Sequence, residues 1–143
     1  MKSCTDINQS KKLLELGIDV NTVDMTYVSM KDYGENTYHL TVGRTDVNWA
    51  KDELGNLNWN DVYEKYIPAW SLTALEKLMP FHIIENNNRF GFYQVKGFNK
   101  QGETYCFGYK TNNEYFLFKT SWHNEPIDAA FEMVVWLLKN KMI

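Results

Sequence analysis

Apolar positions along the chain fall into two rhythms, a spacing of three to four residues in three runs and a two-residue alternation in most of the rest. In the first helical run, Asp6 and Gln9 have the spacing of a capping box, Leu13, Leu14 and Leu16 are apolar, and Gly17 stands at a natural C′ position. The second run, Pro68 to Pro80, encodes a complete short helix. Ser71 is its N-cap, Trp70 and Leu75 are placed for a hydrophobic staple, Leu72, Leu75, Leu78 and Met79 make one face, and Pro80 ends it. The third, from about Pro126 to Lys139, carries a wide stripe of Ile127, Ala130, Phe131, Val134, Leu137 and Leu138. Met133 and Trp136 widen that stripe, Asp128, Glu132 and Lys139 leave a narrow polar edge, and Asn124 is the expected cap.

The alternating runs read as strands. Met25 to Met30 and Tyr38 to Val42 are rich in β-formers and separated by turn residues. From Phe81 onward the same pattern recurs in Phe81 to Glu85, Arg89 to Phe98, Glu103 to Lys110 and Tyr115 to Thr120, with polar connections short enough for hairpins. Alternation places Phe116 and Phe118 on one face and Tyr115 and Leu117 on the other, so each side of that strand needs cover. The expected fold class is α+β: an antiparallel sheet whose C-terminal part is a four-strand meander, flanked by an N-terminal helix, a short middle helix and a long C-terminal helix. With 143 residues the chain is read as a single domain, 1–143.

Composition changes this picture little. Hydrophobic residues make up 44% and charged residues 23%, ordinary for a globular protein, while the aromatic share of 15% is high. Fifteen basic and eighteen acidic residues give a net charge of -3, which offers no long-range attraction to phosphate backbones or anionic lipid. Nucleic-acid binding would need a local basic patch, and none stands in the linear sequence. No apolar run approaches the roughly 18 residues a membrane span needs, and the N-terminus lacks an apolar leader, so a cytoplasmic protein is expected. Cys4 and Cys106 are read as reduced thiols on the same grounds.

A resemblance adds context. Cys4-Thr5-Asp6, the Gln9 to Gly17 segment, Pro68 to Pro80 and Asn124 to Leu138 together resemble a family of small uncharacterised proteins of gut-bacterial genomes, often carried in prophages and other mobile elements. The matching pieces cover less than half the chain. What the resemblance implies is a cytoplasmic protein of mobile-element origin; it brings no activity, substrate or catalytic residue.

Candidate chemistry is sparse. His39, His82 and His123 are not spaced as a metal pair, no glycine-rich phosphate loop opens a helix, and no cofactor is expected. Cys106, His123 and Asp128 have the composition of a thiol hydrolase set, yet Cys106 falls in mid-strand, where a small buried hydrophobe is the simpler reading. The run Arg89 to Val95 partly resembles the aromatic strand of RNA-recognition motifs, whose exposed rings stack on bases. It lacks the glycine after the basic residue, and a meander is not the split βαβ order of that fold, so nucleic acid is not the expected partner. The segment Arg44 to Asp61 is polar but carries Trp49 and Trp59, a pattern that suits either loop anchors or a docking surface. These two tryptophans are the candidate partner-binding residues. The expected function is a non-catalytic protein-interaction module with a protein partner, an accessory protein of a mobile element or prophage; the alternatives are a small enzyme, hydrolytic for instance, and a weak single-stranded nucleic-acid binder.

Overall fold

The computed structural model describes residues 1–43 and 65–143, which group into two compact units, one from Cys4–Ala74 and one from Met1–Ser3 with Leu75–Ile143. The chain is α+β, with antiparallel sheets in both units.

In the N-terminal unit, helix α1 (Ile7–Glu15) starts on the anticipated capping box: Gln9 N–H donates to Asp6 Oδ1 at 2.9 Å, and Asp6 N–H to Gln9 Oε1 at 3.0 Å. It stops at Gly17, whose φ of +81° turns the chain so that Ile18 N–H reaches back to Leu13 O. Strands β1 (Met25–Ser29), β2 (Tyr38–Val42) and β3 (Tyr66–Ala69) form a sheet in the order β2-β1-β3. Strand β3 has no alternating pattern to mark it in the sequence. It is four residues long and holds Pro68, which cannot donate to a ladder and is tolerated here because β3 is an edge strand, opposite Thr26 of β1. Burial of Trp70 is made tolerable by its indole N–H, which donates to Thr22 Oγ1 at 2.9 Å. Ser71 caps helix α2 (Leu72–Leu78) as expected, its Oγ accepting from Ala74 N–H, and the Asp24 carboxylate holds both the Ser71 hydroxyl and its backbone N–H.

The C-terminal unit is a four-strand meander, β4 (His82–Glu85), β5 (Asn88–Asn99), β6 (Gly102–Lys110) and β7 (Phe116–Lys119), in sequential order. Asn86 and Asn87 both take positive φ between β4 and β5, which is the two-residue turn whose twist matches the strands. Helix α3 (Pro126–Lys139) covers one face of this sheet, where the Trp136 ring stacks on Phe118 with centroids 4.7 Å apart. Its fully buried positions are Ile127, Ala129, Ala130, Met133, Val134 and Leu137, whereas Phe131 is only half-buried, at the margin of the stripe the periodicity predicts. Glu125, not Asn124, occupies the N-cap, with Pro126 in the first turn; the Asn124 amide instead donates to Glu103 O, at 2.9 Å. Both thiols are free and buried.

One departure from alternation decides what the other face of the sheet presents. Tyr109 opposes Phe118, but the next residue, Lys110, opposes Phe116, so Leu117 is an extra residue in β7. A one-residue insertion reverses the facing of everything beyond it. Phe116 and Phe118 therefore lie on opposite faces, contrary to the expectation from spacing: Phe118 meets α3, and Phe116 meets Tyr93 on the side away from the helix.

Candidate functional site

The face of the meander opposite α3 is organised in cross-strand rows. His82, Gly91, Lys110 and Phe116 align across all four strands, and Tyr93, Gly108 and Lys119 form the next row. Val95 with Cys106, and Gly97 with Thr104, continue it toward the far end, and Ile84 with Arg89 closes the near one. Side chains alternate between faces along a strand, so these residues share one surface.

Glycine shapes that surface. A Cβ on Gly108 would lie 3.0 Å from the Tyr93 ring, and one on Gly97 would lie 3.1 Å from the Trp122 ring, so each ring rests directly on a strand that has no side chain to hold it off. At Gly91 the nearest atom among the described residues is Lys110 O at 3.9 Å, and no described ring fills the gap. A cleft of about 320 Å³ opens there, lined by Gly91, Tyr93, Lys110, Thr111, Asn112 and Glu114 among others. Trp122 is 50% and Phe116 43% exposed.

Charge follows the rings. The Lys110 ammonium sits 4.7 Å from the Tyr93 ring centre and 3.0 Å from Glu114 Oε1; the Lys119 ammonium sits 5.2 Å from the Phe116 ring centre. Arg89 Nη2 lies 3.4 Å from His82 Nδ1. Burial is the main cause holding the Tyr93 hydroxyl above the ordinary tyrosine range, reinforced by Cys106 and Glu114 and opposed by the Lys110 charge. The carboxylates of the strands themselves, Glu85 and Glu103, alternate onto the other face, and Glu103 pairs there with Lys96 at 2.7 Å.

The residues nominated for thiol chemistry are not brought together. Cys106 is fully buried and donates to Thr120 O at 3.3 Å. His123 pairs in register with Tyr105 and places Nε2 2.5 Å from Glu132 Oε2 on α3, while Asp128 binds the Lys2 ammonium at 2.8 Å. Glu132, anticipated as a solvated edge, also accepts from Ser121 N–H at 3.1 Å, so the pair fastens the lead-in of α3 to its middle. Trp49, Trp59 and the whole Arg44 to Asp61 segment lie outside the described residues.

Sequence reasoning did not nominate Lys110, Phe116, Lys119 or Trp122, and it noticed Tyr93 only within the Arg89 to Val95 run. The available signal was the set of mid-strand glycines, Gly91, Gly97 and Gly108, since glycine inside a strand marks close approach by a ring, a backbone or a ligand. Comparison with protein-family models, with curated proteins and with solved structures finds no match to the chain. Among the described residues no helix is long and apolar enough to cross a membrane.

Proposed function

We propose that the protein is a non-catalytic interaction module whose docking surface is the aromatic and basic face of the C-terminal meander. The observation that carries this reading is the extra residue in β7, which turns Phe116 out of the core to join Tyr93 beside the Lys110 and Lys119 ammonium groups. β-Bulges are over-represented at sheet edges and beside active sites, where they re-aim a side chain. A role as an accessory protein of a mobile element or prophage rests on the sequence resemblance alone. Catalysis has less support: the one thiol on this face is sealed beneath the surface, and no histidine stands beside it.

The test uses the tagged full chain as bait in an extract of its native host, beside the Phe116→Ala/Trp122→Ala double variant. Both rings are about half-buried, so the variant is expected to lose some stability, and its cooperative thermal melt is checked before capture is compared. A partner, protein or nucleic acid, held by the wild type and absent from the variant is the expected result. Equal retention of every partner by both chains would remove this face as the docking surface.

A further inference from the structure

We infer that the occupant of this face is single-stranded nucleic acid, with one base seated in the cleft over Gly91 and others against Phe116 and Trp122. The inference rests on the reading of this face as the docking surface and adds the chemical class of its ligand. The linear sequence argued against nucleic acid because it holds no basic stretch. Folding supplies what the sequence order lacks: Arg89, Lys110 and Lys119 come from three different strands onto one face, opposed there among the described residues by Glu114. The described residues of that face carry a net positive charge although the chain as a whole carries -3.

Three features favour an extended strand with free bases over an acidic peptide. Rings of three different types, Tyr93, Phe116 and Trp122, lie on one open sheet surface, and flat apolar faces are what unpaired bases stack on without regard to sequence. The cleft over Gly91 has a floor of backbone and a rim of Lys110, Thr111, Asn112 and Glu114, a mix of donors and acceptors that suits a planar heterocycle with polar edges. At about 320 Å³ it lies at the small end of the range for ligand pockets, of nucleotide rather than polymer size. The cations flank the rings at 4.7 and 5.2 Å, close enough to leave a ring for a phosphate as a base takes their place. A duplex, whose bases are already stacked, offers this surface only its phosphates.

The experiment titrates the full chain into a fluorescein-labelled oligouridylate of about twelve nucleotides, within the site sizes of single-strand binders, and follows anisotropy. Binding in the micromolar range at about 50 mM salt is expected, with log K falling by about 2 per tenfold rise in salt, the slope for three cations at about 0.7 each. That slope predicts a roughly twentyfold loss between about 50 and about 200 mM salt. Lys119→Glu should weaken binding and flatten the slope. Gly91→Val should weaken it by roughly tenfold or more by filling the cleft; a Cβ at this position meets only ordinary contact, and a thermal melt checks that the variant is folded before its binding is read. Trp122→Ala should weaken it by a similar factor. No binding, equal binding of a duplex of the same length, or equal binding of an oligoglutamate peptide would each overturn the inference. If the oligouridylate fails while the host-extract capture still depends on Phe116 and Trp122, the ligand class is wrong and the docking surface stands; if both fail, the docking surface falls as well.

Discussion

At the scale of single residues, the three mid-strand glycines of the meander do different jobs and predict opposite responses to the same substitution. Gly108→Ala would place a methyl 3.0 Å from the Tyr93 ring and 3.1 Å from the Phe118 carbonyl oxygen, and the backbone atom cannot step aside. A loss of about 1 to 3 kcal/mol is expected, the usual range for overpacking. Gly91→Ala meets nothing closer than 3.9 Å, so removing a flexible residue from a strand should leave stability unchanged or raise it by up to about 1 kcal/mol. Urea denaturation of the two variants checks both signs together. Similar losses from both would mean that the floor at Gly91 is as tightly covered as that at Gly108, and that no cleft exists there. Residue chemistry with a purely local cause was legible in the sequence. The Asp6 and Gln9 capping box and the Ser71 cap depend on neighbours within three residues, and both form. Asn124 does not cap: the helix begins one residue later, with Glu125 at the N-cap, and the Asn124 amide donates to the distant Glu103 carbonyl.

At the scale of elements, α3 tests how far periodicity can locate a buried face. Counting apolar positions puts Phe131 in the stripe with Leu137, but the structure buries Leu137 fully and leaves Phe131 half-buried. Leu137→Ala should therefore cost about 2 to 5 kcal/mol, and Phe131→Ala less, despite removing the larger side chain. Thermal melts of the two variants decide it, and a larger loss at Phe131 would rotate the helix on its axis relative to this description. A wide stripe could not fix its own centre, because six or more apolar positions leave the angle of contact open until a partner is present. Strands show the same limit. The four of the meander were legible from their alternation and turns, whereas β3 was hidden by Pro68 and by its length of four residues. The reversal of Phe116 was hidden too, since a bulge is a property of two strands in register and alternation reads one strand at a time.

At the scale of the whole molecule, net charge and composition described the average surface and missed its arrangement. A value of -3 suggested a chain indifferent to polyanions, yet the registry of β4 to β7 sorts the strand carboxylates Glu85 and Glu103 to one side and Arg89, Lys110 and Lys119 to the other. The fold class was legible because it follows from local patterns summed along the chain. The candidate site was not, because its rings and cations are contributed by β5, β6, β7 and the segment just after β7, and only strand pairing brings them together. The central claim is that this face, and no other part of the described chain, receives the ligand. Amide resonances of the ¹⁵N-labelled protein, followed while the same oligouridylate is added, test it most directly. Shifts confined to Arg89, Gly91, Tyr93, Lys110, Phe116, Lys119 and the Trp122 indole are the predicted result; shifts centred on α3 or on the N-terminal unit, or none at saturating ligand, would contradict it.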